Sequence, residues 1–175
     1  MIRKSGNMES IKEKIIKEAK RVEEDSLYSA KGHFVAGNFW TNFHLWIGVP
    51  NAILAAIAGA SALSQFDNHN IIAGILAIIV TALTAVTTFL NPNEKANSHQ
   101  KAGNNYNSLR NIARIFCEID CCREDSDQEL TRQLKELAKQ RDELNQNSPQ
   151  IPRWAYKKAR KGIEKGEADY RINKK

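Results

Sequence analysis

The sequence predicts an all-α membrane protein, a two-helix transmembrane hairpin with cytoplasmic helices before and after it. The first observation is the distribution of charge: residues 39–90 hold no Lys or Arg and one acid, Asp67, although the 175-residue chain has 26 basic and 20 acidic residues. The second is a pair of apolar runs within that stretch, each long enough to cross a bilayer. The chain therefore divides into residues 1–38, 39–90 and 91–175.

Residues 1–38 are predicted to form an N-terminal cytoplasmic amphipathic helix. Small or apolar residues recur at helical spacing, with Lys and Glu between them. This helix either ends before the first span or runs on into it. The recurring positions are Ile11, Ile15, Ala19, Val22, Ser26, Ala30 and Phe34.

The apolar runs are Leu45–Leu63 and Ile71–Leu90, which place the two spans at about 43–63 and 71–90. A helix of about 20 residues is about 30 Å long, which matches the hydrocarbon thickness. Seven residues, 64–70, separate the runs, so only a tight hairpin can join them. The alternative is a pair of core helices in a soluble protein, but the chain has little other apolar sequence to cover them.

The loop between the runs contains no Lys or Arg, whereas both flanking segments are rich in them. By the positive-inside rule both termini are expected in the cytoplasm. Trp40 and Trp46 precede or begin the first span, where aromatic rings favour the membrane–water interface. The predicted protein is therefore multi-pass, with its short loop outside.

The first span has a face of small residues. Such spacing allows membrane helices to approach closely, so these are predicted helix-packing residues. Asn51 is the costliest polar group of this span, and it either contacts another helix or pore, or repairs the backbone site that Pro50 disrupts. The small-residue face comprises Gly48, Ala52, Ala56, Gly59 and Ala60.

The second span has a face of threonines, Thr81, Thr84 and Thr88. These residues and Asn51 are candidates for lining a pore or contacting a neighbouring helix. The alternative is that each hydroxyl bonds the carbonyl one turn earlier. Two spans cannot enclose a conduit, so a pore requires several copies.

Residues 91–175 are predicted to form the C-terminal cytoplasmic helices. Asn91-Pro92 is a helix start for a helix to about Cys122, and Ser126 begins a capping box with Glu129. Leucines then recur with a period of 3.5 until Arg141 interrupts them, which indicates a short seam within one chain or between copies. Pro152 begins a last, basic helix. The leucines are Leu130, Leu134, Leu137 and Leu144.

No catalytic constellation is recognisable, so the sequence favours a protein that is not an enzyme, with no cofactor and no metal. The four histidines are scattered, although His44 and His99 could both lie near the interface and respond to pH. Acids interleave with bases despite the net charge of +6, which argues against a nucleic-acid polymer as partner. Cys117, Cys121 and Cys122 lack further zinc ligands and are interpreted as packing thiols.

One cluster is a candidate site for an anionic ligand. Tyr106, Arg110 and Arg114 are four residues apart along one helix side, with Asn105 adjacent. An aromatic ring and guanidinium groups would suit a nucleotide. The alternative is that Tyr106 packs in the core and the arginines contact acids or lipid headgroups.

The stretch from Asn91-Pro92 through His99-Gln-Lys-Ala102 to Tyr106-Asn-Ser-Leu109, and the later Ile151-Pro152 and Tyr156-Lys-Lys-Ala159, resemble the SLATT domain (SMODS and SLOG-associating two-transmembrane effector). The resemblance covers nearly the whole chain. It implies an effector of a bacterial anti-phage, CBASS-like nucleotide-signalling system. Such an effector oligomerises and forms a pore or disrupts the inner membrane, which causes growth arrest or cell death.

The resemblance also implies the partners: the lipid bilayer, further copies of the chain, and a cyclic (oligo)nucleotide messenger or a sensor protein. The alternative function is a non-conducting membrane anchor that recruits a cytoplasmic partner through its helices. The leucine seam and the basic C-terminal segment are consistent with that alternative.

Overall fold

The computed structural model describes residues 10–65 and 67–173, and within these ranges the chain is helical and contains no strand. The predicted all-α class is confirmed. Two short 3-10 turns, Asp120–Cys122 and Arg171–Asn173, accompany the helices. The helices are α1 (Ile11–Leu63), α2 (His69–Leu90), α3 (Pro92–Glu118), α4 (Asp127–Asn147) and α5 (Arg153–Glu164).

Helix α1 joins the amphipathic segment and the first span without a break, and it continues through Pro50. Its start is a capping box that the sequence analysis did not identify. The Ser10 hydroxyl accepts from the Glu13 N–H at 3.2 Å, and the Glu13 carboxylate accepts from the Ser10 N–H at 2.8 Å. Of the two alternatives for the N-terminal helix, the structure has the one that runs on into the span; residues 1–9 of that prediction lie outside the described residues.

Asn91 both ends α2 and begins α3. It adopts the left-handed conformation (φ 43°), which asparagine tolerates better than most residues, and its N–H donates to the Thr87 carbonyl at 3.0 Å. Its side-chain oxygen accepts from the Glu94 N–H at 3.4 Å, and Pro92 takes the first helical position. The predicted helix start is confirmed, although α3 ends at Glu118 and the 3-10 turn follows.

Helix α4 begins at the predicted cap, where the Ser126 hydroxyl accepts from the Glu129 N–H at 3.3 Å. The Glu129 carboxylate accepts instead from Arg132, at 2.6 Å, and from Gln133, at 2.9 Å. Helix α5 begins directly after Pro152, as predicted.

The chain divides into two compact units. The first comprises the chain up to Val35 and from His99 on. Its core joins α1, α3 and α4, so the leucine seam of α4 lies within one chain, with Leu134 and Leu144 packed at its edge. The buried core positions include Ile15, Ala19, Val22, Leu109, Ala113, Phe116, Leu130 and Leu137.

The second unit, Ala36–Ser98, contains the two apolar segments. Both helices are long and apolar enough to cross a membrane, and only 11% and 6% of their most apolar windows are buried. They are therefore not the buried core helices of a soluble domain.

Two contacts define the antiparallel register of this hairpin. The Asn51 amide donates to the Thr84 hydroxyl at 2.9 Å, and the Lys95 ammonium lies 4.5 Å from the centre of the Trp40 ring. In an antiparallel pair, a step back along one helix is matched by an equal step forward along the other. The step from Asn51 back to Trp40 equals the step from Thr84 forward to Lys95, so both contacts belong to one register. The half-buried positions of α2 repeat every seven residues, as in coiled-coil packing. They are His69, Ala73, Leu76, Val80, Leu83, Thr87 and Leu90.

Candidate functional site

The threonine face of α2 lies beside the hairpin seam and remains open. Thr81, Thr84 and Thr88 are exposed and line a groove of about 630 Å³ with Val80, Ala85 and Phe89. The Thr81 hydroxyl donates to the Ala77 carbonyl at 2.8 Å, as the local alternative expects. A hydroxyl that donates still has oxygen lone pairs to offer, so back-bonding does not remove the polar character of this face.

Asn51 is the polar contact between the two spans. Its amide donates to the Thr84 hydroxyl across the hairpin, rather than to the backbone carbonyl that Pro50 leaves free. Its side-chain oxygen is buried without a hydrogen-bond partner among the described residues. Inside a bilayer, a hydrogen bond between helices also fixes their register. The structure therefore brings Asn51 and one of the predicted threonines together.

The small-residue face of α1 is not used in the seam between α1 and α2. A methyl group added at Gly48 or at Gly59 would meet no atom within 4 Å. Ala52, Ala56 and Ala60 are exposed as well. The helix-packing role of this face therefore stays a prediction, and it concerns contacts beyond a single hairpin.

The predicted ligand cluster on α3 is divided. Tyr106 is 3% exposed and its hydroxyl donates to the Asn145 side chain at 2.7 Å. The Arg110 and Arg114 guanidinium groups lie 5.4 and 4.8 Å from the centre of the Tyr170 ring. Tyr106 and Arg114 are eight residues apart, and over eight residues the direction of the side chain rotates by about 80° around the helix axis. The two ends of this row therefore face different neighbours. Asn105 is exposed. The structure therefore does not bring the four residues together in a single site.

Tyr106 instead belongs to a cleft of about 670 Å³ within the first unit, where α1, α3, α4 and α5 converge. The cleft combines aromatic, cationic and acidic side chains. Arg141 forms an ion pair with Asp25 at 3.5 Å inside it. The lining residues are Glu24, Asp25, Tyr28, Ser29, Tyr106, Arg141, Asn145, Tyr156 and Arg160.

One sequence signal for this cleft existed. Arg141 interrupts the leucine period of α4, and a charged residue at an expected seam position indicates a polar function at that level of the helix. Tyr28 and Tyr156 carried no such signal, because they are 128 positions apart and only the packing of α5 brings their ring centres to 6.3 Å.

A buried histidine pair also lies in the first unit. His33 and His99 are 2% and 5% exposed, and their Nδ1 atoms are 2.9 Å apart. His33 stacks on Tyr106 with 5.5 Å between ring centres. From the sequence, His99 and His44 are both candidates for the interface, whereas the structure pairs His99 with His33 and leaves His44 exposed. The spacing gave no sign of this, because the pairing depends on how α1 and α3 pack.

Protonation of both rings would destroy this hydrogen bond, since one Nδ1 must accept it. Burial lowers the pKa of His33 to about 4 and also lowers the pKa of His99. Both rings are therefore neutral at physiological pH, and the pair is a structural contact there.

The first unit is expected to lose stability as pH falls from about 6.5 towards 4. In the unfolded chain His33 takes up its proton at about pH 6.5, whereas in the folded chain it stays neutral until about pH 4. Protonation therefore favours the unfolded chain between these two pH values, and the stabilisation that is complete above about pH 6.5 is lost as the pH falls through that range. The loss should reach about 2 kcal/mol of unfolding free energy at about pH 5. Urea unfolding in detergent at two pH values measures it.

The matched comparison is His33→Asn, because an asparagine amide can replace Nδ1 without titrating. This variant should show a smaller loss between the two pH values than the unmodified chain, whereas His44→Asn should show the same loss. An equal pH dependence in His33→Asn would contradict the assignment.

The cysteines provide no obvious reactive or metal centre. Cys117 and Cys121 are buried free thiols and Cys122 is exposed. Burial raises the pKa of Cys117 to about 11, which keeps it protonated and unreactive. Within the described ranges, no three His, Cys, Asp or Glu side chains lie close enough together to hold a metal ion.

The chain was compared with known protein families. The family model described as "SMODS and SLOG-associating 2TM effector domain family 4" matches residues 13–173. No curated protein and no solved structure matches the chain. The match extends over both compact units, so it concerns the helices of the first unit as well as the apolar hairpin.

Proposed function

Because the chain belongs to the SMODS and SLOG-associating two-transmembrane effector domain family 4, we propose that it is a membrane effector that oligomerises and permeabilises the bilayer. The observation that carries the proposal is the open threonine groove of α2. Thr84 bonds Asn51 at the edge of the seam, and the Thr81 and Thr88 side chains remain exposed outside it. In a membrane such a face contacts either lipid or another copy.

Polar side chains within a span are costly against lipid and gain from facing another helix or water. Copies arranged with their threonine faces inward would surround a pathway lined by hydroxyl and backbone oxygens. The small-residue face of α1, where Gly48 and Gly59 have no neighbour within 4 Å, would allow the close approach between copies. One hairpin offers both surfaces, so it can join two neighbours.

The same proposal includes the setting. The protein acts in the inner membrane of a bacterium, with both termini in the cytoplasm, and takes part in anti-phage defence through growth arrest or cell death. The charge-free loop between basic flanks supports the orientation. The trigger is a cyclic (oligo)nucleotide or a sensor protein. No catalytic step is part of the proposal, because the family is one of effector domains rather than of known enzymes.

A non-conducting membrane scaffold is the second candidate. Three exposed isoleucines favour it: Ile112 and Ile115 of α3 and Ile119 directly after its end are 45%, 46% and 53% exposed. A row of this kind suits a partner helix. The two candidates differ in a measurable way, since only an effector that permeabilises the membrane releases solutes.

Reconstitution into dye-loaded vesicles of phosphatidylethanolamine and phosphatidylglycerol tests the proposal. The purified full chain should release a small anionic dye, and its induction in cells should depolarise the inner membrane before growth stops. The release rate should rise more steeply than in proportion to the protein-to-lipid ratio, because several copies form one pathway. Intact vesicles and polarised cells, with the protein inserted in both membranes, would support the scaffold instead.

A further inference from the structure

The cleft of the first unit has the chemistry of a nucleotide site. Its volume of about 670 Å³ lies in the range of sites for small organic ligands. It brings tyrosine rings, guanidinium groups and carboxylates together from helices distant in sequence. Neither an apolar ligand nor a simple anion uses all three kinds of group.

The aromatic component is the pair Tyr28 and Tyr156. Their ring centres are 6.3 Å apart and their planes are tilted by 34°. Insertion of a flat ring between two others requires about 7 Å, two stacking distances, so a small movement of the exposed Tyr156 would admit a base. Without that movement, a base can stack on the outer face of Tyr156 alone.

The cationic component is Arg141 from α4 and Arg160 from α5. Their present partners are carboxylates: Arg141 lies 3.5 Å from Asp25 and 3.2 Å from Asp142, and Arg160 lies 2.7 Å from Glu164. The Arg160 pair is solvent-exposed, and because such pairs contribute little stability, its exchange for a phosphate costs little. A phosphate offers these guanidinium groups a bidentate partner of higher charge.

The acidic component distinguishes a nucleotide from a bare phosphate. Glu24 and Asp25 line the same cleft from α1. Carboxylates repel phosphate but accept hydrogen bonds from the N–H and amino groups of a purine edge. Their presence is therefore unfavourable for an anion site and favourable for a ligand with an amino-bearing ring.

We propose that this cleft binds a purine nucleotide, with the base at Tyr28 and Tyr156, the phosphate at Arg141 and Arg160, and the base edge at Glu24 or Asp25. Binding in the cleft does not depend on the proposed function.

Isothermal titration of the full chain in detergent tests the assignment, with GMP, AMP, UMP, ribose 5-phosphate and inorganic phosphate as separate probes. GMP or AMP should bind at least about tenfold more tightly than UMP, because a purine stacks over a larger area. Ribose 5-phosphate and inorganic phosphate should bind more weakly still.

Variants of α5 locate the site. Tyr156→Ala should weaken purine nucleotide binding by about tenfold or more, and Tyr156→Phe should retain it. Trp154→Ala is the matched control, because this ring is on the same helix, equally exposed (44% against 43%), and absent from the cleft lining. Arg160→Gln should weaken binding of the nucleotide, and Lys157→Gln should not.

Three outcomes would overturn the proposal: no binding of GMP or AMP at millimolar concentration, inorganic phosphate binding as tightly as GMP, or equal losses from Tyr156→Ala and Trp154→Ala. Dye release from vesicles is measured separately on the same protein. A chain that releases dye but binds no nucleotide retains the proposed function, and one that binds nucleotide without releasing dye retains the site.

Discussion

Replacement of Thr81 and Thr88 together by valine is expected to lower dye release from vesicles by at least about tenfold. Valine has nearly the shape of threonine, so the helix and the volume of the groove are retained while two hydroxyl groups are removed. A solute that crosses an apolar pathway must give up its water without any replacement, which raises the barrier steeply. Thr84 is left unchanged, because its hydroxyl accepts the Asn51 amide and holds the hairpin register.

The control for this variant is the pair Ile79→Leu and Val86→Leu. Each position precedes one of the threonines by two residues and is therefore about 200° away around the helix. Both side chains are exposed, at 42% and 47%, and face away from the groove. This pair should release dye as the unmodified chain does. Unchanged release by the valine pair, at equal insertion, would mean that the threonine face lines no pathway.

Substitution of Gly59 by isoleucine is expected to abolish assembly into oligomers and, with it, permeabilisation. A Cβ atom added at Gly59 meets no atom within 4 Å in a single chain, so the hairpin itself should tolerate the substitution. In an assembly, a branched side chain at this position would separate two helix backbones that pack closely, and such contacts depend on short distances. Cross-linking in detergent and in membranes measures the copy number before and after the change.

Ile57→Phe adds bulk to the same helix two residues away, on a face about 200° from Gly59. Ile57 is already exposed, so this control should keep both the oligomer and the dye release. Wild-type oligomers formed by Gly59→Ile would exclude the small-residue face as the contact between copies. Monomers in both variants would indicate that assembly is sensitive to any bulk on α1.

Much of the fold followed from local sequence features. The two spans were visible because each is a continuous apolar run bounded by charge, and Asn91-Pro92 marked a helix boundary through the backbone geometry of two residues. The buried row of α1, including Ile15, Ala19 and Val22, followed from helical periodicity alone. Local preferences sufficed at these places because the determining residues are neighbours in sequence.

The candidate sites were harder to predict from the sequence than the helices were. The threonine groove was predicted because its members share one helix face. The row of Tyr106, Arg110 and Arg114 also shares a helix, but α3 packs against different elements along its length, and so the row is divided between a buried tyrosine and two arginines beside Tyr170. Periodicity identifies a face of a helix, but not the neighbour that each part of the face meets.

The sequence by itself determined the helical class, the two apolar spans, the helix boundaries and the small and threonine faces, because periodicity, capping and hydropathy are properties of short segments. Only the tertiary structure decided that Asn51 meets Thr84, that His33 pairs with His99, and that Tyr28 and Tyr156 share a cleft with Arg141. Each of these contacts joins helices whose relative rotation and register result from the packing of many side chains at once. The rotation and register of a helix therefore cannot be predicted from the sequence of any single segment.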